Sequence, residues 1–285
     1  MSFKIIECPR DAMQGLHEFI PTDKKTSYIN SLLKVGFDYI DFGSFVSPKA
    51  IPQLRDTAEV LAGLDLSTTK SKLLAIIGNK RGAEEACKHN EISYLGFPYS
   101  VSPTFLKLNI SSTHEEAFRT IEYVNNLCGK TNKKLVVYLT MAFGNPYGDK
   151  SSTEQVLKDV NELKEAGITI VSLADTVGVG TPEIIHDVFS AVLPQFPDLN
   201  FGFHLHTTSS TYYEKLNAAY TAGCSHFDSV ILGLGGCPMS AQELVGNLST
   251  ENLLHFCRTK GIELSINDEF YQEAVIKARQ IFPIN

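Results

Sequence analysis

Strand-like and helical runs alternate along the whole chain, and this regularity restricts the fold more than any other feature. The strand-like runs fall at residues 4–8, 39–42, 73–77, 92–97, 135–139, 168–173, 200–206 and 226–231. Helix candidates lie between them at 26–33, 51–62, 114–127, 153–166, 182–192, 211–221 and 250–259. The third unit is the weakest, because only residues 82–90 can supply its helix. Eight strands followed by helices predict a closed (β/α)8 barrel, for which about 250 residues is typical. The 285 residues fit one such domain over 1–285, with 267–282 as an extra C-terminal helix. A doubly wound open sheet also accommodates the alternation.

Turn chemistry agrees with this division. Ala166-Gly167 and Ala222-Gly223 close helices just before strands, as a left-handed glycine does. Thr181-Pro182-Glu183 reads as an N-cap, a first-turn proline and an acidic first turn, and the run from Ser111 to Glu116 has similar chemistry. With 43% hydrophobic and 20% charged residues the chain can bury a large core. A net charge of −7 without any basic stripe argues against nucleic-acid binding. No apolar run reaches membrane-spanning length. The opening Met1-Ser-Phe-Lys-Ile-Ile6 lacks the regions of a signal peptide, and the six cysteines show neither Cys-x-x-Cys pairs nor scaffold density. A reducing, cytoplasmic setting is expected.

In a (β/α)8 barrel the chemistry gathers at the C-terminal ends of the strands. There the first strand delivers Glu7, Arg10 and Asp11, the second Asp41, Ser44 and, in its loop, Ser47 and Lys49, and the fourth ends at Ser100 and Ser102. The sixth ends in Asp175-Thr176, the seventh in His204-Leu205-His206, and the eighth runs into Gly233-Leu-Gly-Gly-Cys-Pro238, with Asn247 beyond. Alternate residues of a strand share a face, so both imidazoles point the same way, a geometry suited to a metal ion. Two imidazoles, a carboxylate and an amide oxygen make a mixed nitrogen and oxygen site with room for substrate. Singly each motif has a plainer reading: a surface ion pair for Arg10-Asp11, a satisfied strand for His204-x-His206, a tight turn for the glycines, and strand-end caps for Asp41 and Asp175.

Taken in order, Glu7-Cys-Pro-Arg-Asp11, Ser44-Phe-Val-Ser-Pro-Lys49, Asp175-Thr-Val-Gly-Val-Gly-Thr-Pro182, His204-x-His206, Gly233-Leu-Gly-Gly-Cys-Pro238 and Gly246-Asn-Leu-Ser-Thr-Glu251 resemble the 3-hydroxy-3-methylglutaryl-CoA lyase family over nearly the whole chain. The resemblance implies a metal-dependent barrel with Mg²⁺ or Mn²⁺ held by Asp11, His204, His206 and Asn247. It implies retro-Claisen cleavage of an acyl-CoA to acetyl-CoA and acetoacetate, with Arg10 stabilising the enolate and Cys237 taking part in proton transfer. Asp41, in place of a glutamate, Asp175 and Glu251 resemble family positions near the site, and a homodimer is the family-based expectation. Lys49 and Lys80-Arg81 are candidates for CoA phosphates, although a solvated basic face suits the latter pair as well.

Departures bear on the substrate. Ala12-Met13 replaces the family's Gly-Leu, Pro103 and Thr207 stand where acidic residues are usual, Met239 replaces a tyrosine, and the loop from Cys237 to Asn247 is one residue longer. A divergent acyl-CoA therefore stays open, as do a Claisen-condensing synthase of the isopropylmalate or homocitrate type and a silent barrel acting as a binding protein.

Overall fold

The computed structural model of the protein describes residues 3–236 and 245–282. The strands are β1 (Lys4–Glu7), β2 (Tyr39–Ser44), β3 (Lys72–Ile76), β4 (Ile92–Ser100), β5 (Lys134–Thr140), β6 (Ile170–Asp175), β7 (Asn200–Leu205) and β8 (His226–Ser229). All eight pair in parallel in sequence order, and β8 closes on β1, giving the barrel that the alternation predicts. The open-sheet alternative is excluded by that closure.

Helices α1 (Pro9–Gln14), α2 (Thr22–Leu32), α3 (Thr57–Ala62), α4 (Lys80–Ala86), α5 (Pro103–Ile110) and α6 (His114–Lys130) surround the first half. Helices α7 (Thr153–Glu165), α8 (Pro182–Gln195), α9 (Tyr212–Thr221), α10 (Thr250–Lys260) and α11 (Asp268–Ile281) complete the ring, α11 packing on α2. Local chemistry sets their starts. Thr113 and Glu116 form a reciprocal capping box at α6, an arrangement whose cap alone contributes about 0.5–2 kcal/mol. Two short helices, α1 and α5, had escaped the periodicity; each begins on a proline whose missing N–H costs nothing at a helix start.

The core is divided between the two faces of the strands, with a small third cluster of Phe105, Met141 and Val177. Outward-facing residues such as Ile5, Ile40, Val137, Val171 and Phe203 pack against the helices. Inward-facing Leu74, Val136 and Tyr138 form a smaller cluster inside the barrel. Small residues also face inward: Gly202 stands opposite Ser172, and a Cβ there would lie 3.1 Å from the serine Oγ. Among the described residues, one cavity of about 200 Å³ lies towards the N-terminal ends of the strands and one of about 490 Å³ at the C-terminal ends. Tyr138 borders both. Among the described residues no helix is long and apolar enough to cross a membrane.

Candidate metal and acyl-CoA site

The larger cavity is bordered by Arg10, Asp11, Gln14, Tyr138, His204 and His206, so both motifs from opposite ends of the chain meet there. Arg10 and Asp11 arrive on α1, which starts directly after β1 and is buried along most of its length. Arg10 donates from Nε and Nη2 to Asp41 Oδ2 at 2.9 and 2.6 Å. Its Nη1 donates to Gln14 Oε1 at 2.9 Å, and Gln14 Nε2 donates to Asp11 Oδ1 at 2.7 Å. The guanidinium and the Asp11 carboxylate are thereby fixed relative to each other by one amide. Burial alone would raise the Asp11 pKa, but Arg10, the two imidazoles and a hydrogen bond from Asn247 hold it below the ordinary value. Burial pushes Asp41 up to about 6 against the pull of Arg10, and its Oδ1 is buried without a partner among the described residues.

His204 on β7 and His206 just past its end face inward, with ring centroids 5.2 Å apart. His204 Nδ1 lies 2.9 Å from Asp228 Oδ2, and His206 Nδ1 lies 3.0 Å from the Val245 carbonyl oxygen. Both partners only accept, so each Nδ1 carries the hydrogen and each Nε2 keeps its lone pair for a ligand. His204 Nε2 is 3.5 Å from Asp11 Oδ2. Burial, reinforced by His204, pushes His206 down to about 4, the neutral form that a metal ion binds. For His204 burial also acts downward, but Asp228 and Asp11 outweigh it and raise the value. Such a pull by a carboxylate on the far nitrogen makes the imidazole a better donor to a cation.

Asn247 reaches the same place through isolated bridges: its backbone pairs with His206, and its Nδ2 donates to the Leu234 carbonyl at 2.8 Å. Gly235 permits the close approach, since its φ is +86° and a Cβ would stand 2.5 Å from the Asp11 carbonyl oxygen. A second grouping, Cys8, His204 and Asp228, has its ligand atoms within 4.8 Å of one another. We read it as support beneath the site: Asp228 already accepts from His204, and burial holds the Cys8 thiol well above its ordinary pKa, hence protonated.

Other expected residues stand apart. Asp175 faces away from the cavity that its neighbours Ala174 and Thr176 border. Its carboxylate takes Lys215 Nζ at 3.0 Å and the Gly180 N–H at 3.1 Å, and Lys215 also donates to the Gly178 carbonyl at 2.8 Å. Glu7 and Glu251 likewise point into the layer between strands and helices, where they accept from Ile231 N and Leu232 N at 2.8 and 3.1 Å. Ser44 and Ser100 donate to the Ile76 and Thr140 carbonyls, and Ser102 caps α5. The basic side chain at the cavity mouth is Arg55, with His17 near it, rather than Lys49 or Lys80-Arg81. Pro103 opens α5, Ala12 is buried in α1, and Thr207 meets Thr211 Oγ1 at 3.0 Å. Cys237 and Met239 lie outside the described residues. Sequence reasoning passed over Asp228, Gln14 and Tyr138; for Asp228 the available signal was an acid between Phe227 and the apolar Val230-Ile231, because a buried acid needs a partner.

A model of the HMGL-like family matches residues 3–276. The chain belongs to the HMGL-like family. It is 34% identical to the hydroxymethylglutaryl-CoA lyase YngG of Bacillus subtilis, over 92% of this chain and 86% of that protein. It is equally 34% identical to the mitochondrial hydroxymethylglutaryl-CoA lyase of Homo sapiens, over 95% and 83% of the two chains. Among solved structures, an HMG-CoA lyase from Acinetobacter baumannii in complex with coenzyme A and 3-methylmalate superposes with a TM-score of 0.90 at 31% identity. That match covers 98% of this chain and 91% of the other.

Proposed function

We propose that this HMGL-like chain cleaves 3-hydroxy-3-methylglutaryl-CoA to acetyl-CoA and acetoacetate. The observation that carries the reading is the meeting of Arg10, Asp11, His204 and His206 at one cavity, each oriented by a hydrogen-bond partner. Asp11, His204, His206 and Asn247 are the residues to hold a divalent cation, and Mg²⁺ or Mn²⁺ suits a set with two oxygen donors. When bound, that cation supplies Lewis acidity to the substrate's hydroxyl and carboxylate oxygens.

The chain's own groups do the rest. Arg10, locked by Asp41 and Gln14, presents a fixed positive charge where the thioester enolate develops, so no reorganisation is needed as the bond breaks. Asp11 stays ionised beside it. Cys237, on the glycine-flanked loop, is the group to move a proton to the departing carbon. Asp175 serves by fixing the turn that carries Gly178 and Gly180. Arg55 at the mouth provides positive charge for the anionic end of an acyl-CoA, with His17 beside it as a hydrogen-bonding group. The coenzyme A bound by the Acinetobacter protein supports this class of ligand.

The test is direct. Metal-reconstituted protein given 3-hydroxy-3-methylglutaryl-CoA should release acetyl-CoA and acetoacetate, and EDTA should stop it. Consumption of acetyl-CoA with a 2-oxo acid, without cleavage, would replace the lyase by a synthase.

A further inference from the structure

Glu7 ends β1 with no exposed surface, and the lyase reading gives it no task. Its Oε1 accepts from Ile231 N at 2.8 Å, and its Oε2 lies 2.6 Å from Thr250 Oγ1. Thr250 Oγ1 in turn lies 3.0 Å from Ser229 Oγ. The groups turned towards this carboxyl are Glu251 from α10, Tyr28 from α2 and Tyr271 from α11, while Arg258 and Asp268 act on the outer side of Tyr271. No lysine, arginine or histidine among the described residues forms an ion pair with Glu7 or Glu251. Both tyrosine hydroxyls are buried without a hydrogen-bond partner among the described residues. A second negative charge placed in such surroundings is costly, so the acid form is favoured.

What this carboxyl holds is the entrance to the glycine loop. Ile231 opens a tight turn, Ile231–Gly233, in which Leu232 takes a φ of 70° and Gly233 one of 63°. Glu251 holds the next N–H of the same turn, that of Leu232. Two residues on, Leu234 accepts from Asn247, and Gly235 lies against the Asp11 carbonyl. The segment then runs into Cys237.

We propose that Glu7 is a positioning residue that, in its neutral form, fixes the segment 231–236 against Asp11 and Asn247, and that its ionisation releases that segment. This rests on the lyase reading only for its effect on turnover. The hydrogen bonding balances in the neutral form: the acid donates from Oε2 to Thr250 Oγ1, the Thr250 hydrogen passes to Ser229 Oγ, and Oε1 keeps the Ile231 N–H. In the ionised form Thr250 must turn its hydrogen back to Glu7, and the added charge faces Glu251. Burial first, and then the charge of Glu251, push the Glu7 pKa up to about 8 from 4.5, against the hydrogen bonds from Thr250 and Ile231. A raised folded-state value means that this group's contribution to stability is complete below pH 4.5 and is lost as the pH climbs through about 8.

Glu7→Gln imitates the neutral acid, with one acceptor and one donor in the same places. Melting temperature and turnover are to be followed for wild type and Glu7→Gln from about pH 5 to about pH 9, together with a ¹³C titration of glutamate carboxyls in the wild type. The expected wild type loses turnover about tenfold one pH unit above the Glu7 midpoint, while Glu7→Gln stays within about twofold of its neutral-pH rate. Its melting temperature should also lose the alkaline decline that the wild type shows. Matching pH profiles for the two proteins would overturn the proposal. So would a wild-type spectrum in which every glutamate carboxyl titrates in the ordinary range near about 4.3. If neither protein cleaves substrate, the melting and carboxyl titrations still decide the role of Glu7, and only the lyase reading falls.

Discussion

Asp228 and Asp175 both lie on barrel strands, both are almost wholly buried, and they do different work because they stand on opposite faces. Asp228 points into the barrel and holds His204 by Nδ1. Asp175 points out, pairs with Lys215 of α9, and fastens the turn through Gly180. Asp41 and Glu7 repeat the contrast on β2 and β1: the inner acid holds Arg10, and the outer one holds the Ile231 turn. Buried carboxylates near strand ends are thus divided by strand parity into those that tune chemistry and those that secure the loops around it. A position shift of one residue would exchange the two roles.

That division predicts a graded set of effects. Lys215→Met leaves Asp175 buried and unpaired, so unfolding experiments should show a loss of about 3–5 kcal/mol, partly restored by Asp175→Asn in the same chain. An unchanged denaturation midpoint would show that the outer acid is not structural. If Arg10 is the fixed donor proposed for the enolate, Arg10→Met should lower turnover by about 10²- to 10³-fold with metal content intact. Loss of the metal in that variant would assign Arg10 to ion binding instead. Asp228→Asn keeps the shape but weakens the pull on His204, and metal affinity should drop by about 10- to 100-fold with little change in melting temperature. If Asp228→Asn unfolds the protein as Lys215→Met does, the inner and outer acids are not different in kind.

Much of the fold was legible because barrel strands and their helices carry strong periodic signals; all eight strands fall where the apolar runs lie. Helices α1 and α5 were hidden because each is a short extra helix of six or eight residues in the loop after a strand, outside the alternation of one strand with one helix. At the site, His204 and His206 were readable together because their spacing alone places both on one face. Parity relative to the barrel axis was not readable for isolated acids, so Glu7 and Asp175 stood beside Asp41 in the sequence and stand behind the barrel wall in space. Gln14 gave no signal, and Asp228 only that of an acid within a strand, for another reason: each acts through a partner, and the partner is fixed only by the fold.

The claim that the inner face builds a metal centre is tested most directly by Mn²⁺ binding followed by electron spin-echo spectroscopy on the wild type and on His206→Ala. The account predicts one Mn²⁺ per chain with two imidazole nitrogens bound, and one imidazole in the variant. Bound Mn²⁺ showing no imidazole nitrogen, or the same two in His206→Ala, would contradict it.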